Sequence, residues 1–560
     1  MLHLYIFKYY VKNIILCGGI KISDFNLKEY KNIFINSKEY YLIFLIFISL
    51  SLLSIIHIRN IQHPVFELIM FLIVAVLGIF CISFYFKYNS NHDLYKVAFV
   101  IIVCFGLICS VILPICDVSD EGEHLVRAEL TSEGVIFPHW TGEDQNLTRL
   151  YNVTDGDIMK GLNKNVGYLL SINTSFFVDN LGATVFTTNH DTDKIEFVST
   201  LRQSAFEQNP FFGYLPQALG MVIAKLLDLN VIWLMWLGRI CNLLCYAGLI
   251  SYAIKKTPYL KIPMLVVSCI PITIYQASSL SIDSMIFGLG ILSIAYFIYM
   301  VKAPKNSIKN KELVIFTVIC LLLGLCKLPY LAFIFLLFLV PKDNVEDKRN
   351  FYKIILISLL SVSIIGLMWS QYSSPTLMHS WRSNRGMNST AQVNYLLTNP
   401  HRIIDFFTHI FTDNLVKLAN QFFNFYNGGG KDHYQDHYTF ITVLLQIFLA
   451  LILFIYPKKV KFERKTRIGL LLLVLMIYVG TCVIQLFTWA PVGSIRPSVS
   501  IRYFIPLLVF FPIIFGLNKE RIEKHLDGVS FSNTYINNYS IVFVIGFLAT
   551  LLLAFATKYY

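Results

Sequence analysis

Apolar runs long enough to cross a bilayer recur along this 560-residue chain, and they leave few architectures open to it. Crossing the hydrocarbon takes roughly 17–25 residues of helix, with every backbone polar group bonded internally. Such runs fall at 40–57, 65–86, 97–115, 231–253, 262–281, 284–300, 352–370, 439–456, 467–488, 502–517 and 540–557. The stretch 312–341 is longer than one span needs and is interrupted at Lys327 and Pro329, so it reads as two short helices. The expected fold is an all-α, polytopic integral membrane protein with about thirteen transmembrane helices. Composition agrees: 56% of residues are hydrophobic, 14% are charged and the mean hydropathy is +0.61, which excludes a soluble domain.

The formal net charge of +12 is informative only by position. Placing the tail with Lys8, Lys12, Lys21, Lys28, Lys31 and Lys38 in the cytoplasm puts Lys255–Lys256 inside as well, together with Lys302, Lys305, Lys309 and Lys311. Counting 312–341 as a pair keeps Lys342, Lys348, Arg349 and Lys353 inside, then Lys458, Lys459, Lys461, Arg464, Lys465 and Arg467, then Lys519, Arg521 and Lys524. A single span there would send the last three clusters outward. The basic charge is therefore an orientation signal and not a nucleic-acid footprint. The expected layout is a cytoplasmic tail (1–39), a membrane domain (40–370) with a large first extracytoplasmic loop (116–208), a second extracytoplasmic loop (371–438), and C-terminal membrane helices (439–560) ending outside.

Several chemistries are absent. The eleven cysteines are scattered, with no CxxC pair and no zinc spacing. There is no P-loop, GxGxxG, HExxH or GxSxG, which argues against a pump driven by ATP or a hydrolase of soluble type. No cleavable signal peptide is expected, because the first strongly apolar run is long enough to be a span.

The densest chemical signal is Ser119-Asp120-Glu121-Gly122-Glu123-His124, where the run 97–115 gives way to the first outer loop. Ser119 is placed to cap a helix over 120–133, with acids in its first turn and Gly134 at its end. On that helix Asp120, His124 and Arg127 share one face and Glu121 lies beside them. The same acids would suit a plain helix start. The clustered carboxylates offer oxygen ligands to a divalent metal, yet no spacing singles out a site, so metal dependence stays open.

Opposite these acids in the expected topology stand bases at membrane depth or at the outer interface: Arg239, Lys327, Arg382, Arg385 and Arg502. Asp283 falls at an outer hairpin, and Asn209 to Pro216 forms an aromatic interfacial turn containing Tyr214. Outer-face acids facing outer-face bases suit transfer from a lipid-linked phosphate. Arg and Lys would hold the leaving phosphate and an acid would take the acceptor's proton.

Six ordered pieces then carry a resemblance: Ser119 to Ala128, Phe212 to Gly220, Trp236 to Arg239, Pro271 to Asp283, Lys327 to Tyr330 and Ile501 to Pro506. From about residue 100 to about residue 516 the chain resembles the bacterial membrane-protein family catalogued as domain of unknown function 2142, which is itself similar to GT-C glycosyltransferases. The family's acidic pair usually follows proline, whereas Ser119 stands here. The resemblance implies a GT-C-like fold and matches Asp120 and Glu121 to the acidic pair, His124 to its partner, and Arg239, Lys327 and Arg502 to recurrent basic positions. The expectation is an inverting glycosyltransferase with a polyprenyl-phosphate sugar donor and a cell-envelope glycan or glycolipid acceptor. Asp120 or Glu121 would be the base, with His124 orienting it or titrating near neutrality. Arg239, Lys327, Arg382, Arg385 and Arg502 would bind the donor phosphate, and Arg127, Tyr214, Asp283 and Tyr503 would line the substrate. A lipid-linked glycan flippase or transporter, a polysaccharide polymerase or ligase, and a structural scaffold remain the alternatives.

Overall fold

The computed structural model describes residues 37–137, 206–378, 386–422, 439–517 and 533–559, except positions 60, 62–63, 90–91, 115–116, 207–208, 459 and 498, plus the short pieces 32–33, 35 and 194–195. Among the described residues every regular element is helical. In chain order these are α1 (Lys38–Arg59), α2 (Val65–Tyr88), α3 (Leu94–Ile112), α4 (Glu121–Ser132), α5 (Leu215–Leu226), α6 (Ile232–Lys256), α7 (Lys261–Ser268), α8 (Pro271–Ala277) and α9 (Asp283–Lys302). There follow α10 (Asn310–Cys326), α11 (Phe351–Met378), α12 (Ser389–Thr398), α13 (His401–Phe411), α14 (Asp413–Phe422), α15 (Thr439–Ala450), α16 (Arg464–Thr488) and α17 (Asn533–Tyr559). The tighter 3₁₀ winding appears at Phe211–Tyr214, Leu328–Leu339 and Ile501–Phe510.

Eight helices, α1, α2, α3, α6, α9, α11, α16 and α17, are long and apolar enough to cross a membrane. At 19 to 27 residues each they reach about 30–40 Å, which matches the hydrocarbon thickness. The other five of the thirteen expected spans are shorter or broken, and proline explains most of the breaks. Pro271 forces Ile270 into an extended conformation and splits 262–281 into α7 and α8. Lys327, at φ −151° and ψ 99°, separates α10 from the 3₁₀ helix that opens with Pro329 in its first turn, so 312–341 is a pair of short helices. Pro506 lies inside the 3₁₀ segment Ile501–Phe510, and a π turn at Leu451–Ile455 ends the run begun by α15. The expected outer loop 371–438 contains α12, α13 and α14.

Burial follows from which helix faces lipid. On α1, Leu42, Ile46, Leu50 and Leu53 are exposed while Phe44, Ile48, Leu52 and Ile55 are buried, so both faces are apolar and one lacks a protein neighbour. The C-terminal α17 returns to pack on α1 and α2. Phe47 meets Phe547 edge-on at 5.2 Å, and Asn538 bridges the hydroxyls of Tyr40 and Tyr85. α5 lies close on α6 because Gly220 sits against the Leu237 carbonyl, where a Cβ would fall only 2.1 Å away.

The charged termini sort to two ends. Lys256 pairs with Glu312, the Lys302 ammonium donates to the Lys461 carbonyl, Asn344 bonds back to Met300, and Lys458 bonds to Ile513. The lysine clusters around 255–256, 302–311, 342–353 and 458–467 thus gather at one end, as the charge pattern requires. The acidic segment at 117–124 lies at the other, where α9 begins at Asp283 and the segment Ile501–Phe510 begins beside Arg502.

Candidate functional site: an acid–base cluster at one end of the bundle

The acidic segment enters α4 through a strained residue. Asp120 has φ +63° and ψ 10°, a left-handed conformation uncommon for a residue with a Cβ, though aspartate tolerates it better than most. Holding it there costs about 1–3 kcal/mol. The helix begins at Glu121, not Asp120, and Ser119 does not cap it; the Ser119 hydroxyl reaches only the Asp120 carboxylate at 3.5 Å. The Asp120 carbonyl accepts from the Glu123 and His124 amides instead. Gly134 at φ +82° closes the helix as expected, with Val135 N–H bonding back to the Leu130 carbonyl.

This turn sends Asp120 and Glu121 to different places. Glu121 is fully buried and faces Arg239 in a two-pronged pair, with Nε to Oε1 at 2.8 Å and Nη2 to Oε2 at 2.6 Å. Oε1 also accepts from the Leu280 amide at 3.1 Å. The remaining Arg239 donors go to the carbonyls of Ser110, Leu113 and Pro114. These bonds occupy the whole guanidinium fork, so Arg239 is a clamp between α3, α4 and α6 and not the phosphate ligand expected of it. Glu121, locked in that clamp, is likewise not placed to act as a base.

Arg127 also departs from expectation. It shares no bond with Asp120 or His124 in the structure; its fork binds the carbonyls of Asn209, Val135 and Ile136 and the Thr131 hydroxyl, holding the two borders of the first loop together. His124 is buried between Tyr214 and Ser281, with Nδ1 2.7 Å from the Tyr214 hydroxyl and Nε2 3.2 Å from Ser281 Oγ. Asn209 donates to the same tyrosine oxygen at 2.9 Å, which leaves the phenol proton for Nδ1 and places the imidazole proton on Nε2. Burial pushes the His124 pKa down to about 4, against the pull of Asp283 and Asp120, so it is neutral at physiological pH and does not titrate near neutrality.

What remains open is a cluster of two acids and two bases. The Arg502 guanidinium, only 5% exposed, binds the Asp120 carboxylate and donates to the Ser119 carbonyl at 3.1 Å. Asp283 Oδ2 lies 3.4 Å from Arg502 Nη1, close enough to pair but outside hydrogen-bonding geometry; among the described residues Oδ2 has no donor and Arg502 Nε has no acceptor. The Lys327 ammonium lies over the Tyr503 ring, 3.1 Å from its centroid. Tyr330 fixes Tyr503 by donating to its carbonyl at 2.7 Å. The Asp120 side chain is 40% exposed, in contrast to the sealed Glu121. Burial raises the Asp120 pKa, but Arg502, with His124 and Lys327, outweighs it and holds the carboxyl below its usual range. Arg382 and Arg385 lie outside the described residues, as does most of the first outer loop.

Several partners in the site were not among the expected site residues. Ser281 and the Leu280 amide sit in the non-helical turn after α8, whose backbone is tolerated at membrane depth because protein surrounds it. Gln217 donates to the Leu280 carbonyl at 3.2 Å. Tyr275 and Tyr559 both donate to the carboxylate of Asp117, at 3.1 and 2.7 Å, anchoring the segment that leads into Asp120. A serine-rich turn inside an apolar run was the visible cue for the first pair; nothing marked Tyr559. Among the described residues no group of three or more His, Cys, Asp or Glu side chains is placed to hold a metal.

No curated protein and no solved structure matches the chain. Residues 103–511, which contain every residue of this cluster, match the family described as Predicted membrane protein (DUF2142), and the chain belongs to that family.

Proposed function

We propose that the protein is a membrane glycosyltransferase of GT-C type that inverts the anomeric centre, takes its sugar from polyprenyl phosphate and delivers it to a cell-envelope glycan or glycolipid on the extracytoplasmic face. The observation that carries this reading is the Arg502 guanidinium. It grips a half-exposed carboxylate, has a buried N–H with no acceptor among the described residues, and shares its surroundings with the Lys327 ammonium. In the transfer the acceptor oxygen forms its bond to the anomeric carbon while the bond from that carbon to the phosphate oxygen breaks. The acceptor proton passes to Asp120, and the phosphate leaves with the bonding electrons onto Arg502 and Lys327. A phosphate competing for Arg502 loosens its grip on Asp120, so donor binding raises the proton affinity of the base just when it is needed. Asp283 keeps Arg502 in position throughout. Glu121, Arg239 and His124 serve as the frame.

The test is Asp120→Asn in cells whose own copy has been replaced, with envelope glycan composition read by mass spectrometry. The modification should vanish at unchanged protein level; an unaltered glycan profile would remove Asp120 from the chemistry. A change in polymer length without a change in composition would assign the same residues to a polymerase or ligase.

A further inference from the structure

The basic end of the bundle holds a cavity of about 80 Å³, with Tyr259, Lys261, Tyr456, Lys458, Phe462 and Asn533 among its lining residues. Its place in the fold follows from α9, which runs from Asp283 in the acid–base cluster to Lys302, whose ammonium lies 4.4 Å from the Phe462 ring centroid. Twenty residues of helix put the two sites about 30 Å apart. Three chain segments build the cavity walls: the turn between α6 and α7, the link from the π turn to α16, and the start of α17. α6, α16 and α17 are all of spanning length, so the cavity sits at the level where hydrocarbon gives way to headgroups.

Among the described residues two polar demands are unmet there. Lys458 is only 5% exposed and donates to the carbonyls of Ile513 at 2.9 Å and Pro512 at 3.4 Å, yet among the described residues no carboxylate pairs with it. Burial, together with neighbouring Arg467, pulls the Lys458 pKa down to about 8. Asn533, also buried, donates its amide to the Pro457 carbonyl at 3.0 Å, while its Oδ1 is buried with no donor among the described residues. Capping of the turn Phe511–Ile514 accounts for the Lys458 bonds and for Arg467, which donates to the Ile514 carbonyl. It does not account for the cavity or for Asn533. An anion answers Lys458, and a hydroxyl or amine a few bonds from that anion answers Asn533. The space exceeds that of a single water, and the half-exposed Tyr259 stands at its rim, where aromatic residues meet headgroups.

We propose that this cavity binds a phosphate bearing a nearby hydrogen-bond donor, the chemistry of an anionic phospholipid headgroup such as phosphoglycerol. The full chain is placed in nanodiscs of phosphatidylcholine, with and without phosphatidylglycerol, and its thermal midpoint is measured in each; inorganic phosphate is added separately to the phosphatidylcholine discs. Phosphatidylglycerol should raise the midpoint by several degrees, and Lys458→Gln and Lys261→Gln should each remove at least about half of that rise. If inorganic phosphate reproduces the shift, the anion is drawn from solution and the site stands. Lys261→Gln keeps the test alive if Lys458→Gln fails to fold. No shift with either anion, or a shift undiminished in Lys261→Gln, would overturn the assignment.

Discussion

Two adjacent acids here have opposite physical situations, and their variants should separate cleanly. Glu121 is sealed against Arg239, and removing one partner leaves the other charge buried and unpaired, a loss of about 3–5 kcal/mol. Glu121→Gln should therefore lower the thermal midpoint in detergent and the protein level in membranes. Asp120→Asn takes one charge partner from the buried Arg502 but leaves it an amide oxygen and the nearby Asp283 carboxylate, and the Asp120 side chain is 40% exposed, so it should lower both far less. Equal stability of the two variants would contradict the clamp. His124 makes a prediction in pH. Its folded pKa of about 4 lies below the ordinary 6.5, so between those values the unfolded chain binds a proton that the folded chain refuses. Its contribution is complete above about pH 6.5 and fades as pH falls toward 4. The thermal midpoint of the wild type should fall across that window more steeply than that of His124→Gln; parallel slopes would mean His124 is not the group responsible.

At the scale of elements, the site rests on breaks in helices as much as on helices. The turn between α8 and α9 supplies the Leu280 amide to Glu121 and the Ser281 hydroxyl to His124, and the break at Lys327 frees that ammonium to reach Tyr503. α17 reaches in from outside the region matched to the family and pins Asp117 through Tyr559. Tyr559→Phe removes one of the two phenols on Asp117, about 1–2 kcal/mol. It should reduce glycan modification severalfold while the protein level holds; full activity would show that the Tyr275 contact suffices.

Across the whole molecule, the separation of a lysine-rich end from an acid–base end predicts a sidedness. A single cysteine introduced at Lys305 in a background without other cysteines should resist a membrane-impermeant thiol reagent in intact cells, and one introduced at the exposed Phe137, just beyond α4, should react. Labelling with the reverse pattern would invert the topology and place the acid–base cluster in the cytoplasm.

The helical class, the positions of the long spans, the paired reading of 312–341 and the gathering of the described lysine clusters at one end were all legible in the residues; the clusters at 8–31 and 519–524 lie outside the described residues. A bilayer imposes requirements that are local in sequence: run length, flanking charge and internal backbone bonding. That the charged groups of 119–124 and Arg239, Lys327 and Arg502 would need partners was legible too, because charge at membrane depth is costly. Which acid met which base was not. Glu121 and Arg239 are 118 positions apart, and Asp120 and Arg502 are 382 apart. Their pairing depends on how α3, α4, α6 and the segment at Ile501 approach one another. The left-handed turn at Asp120, the diversion of Arg127 to the loop carbonyls and the anchoring of Asp117 by Tyr559 belong to the same class. Each is a choice among partners that only the packed helices bring within reach.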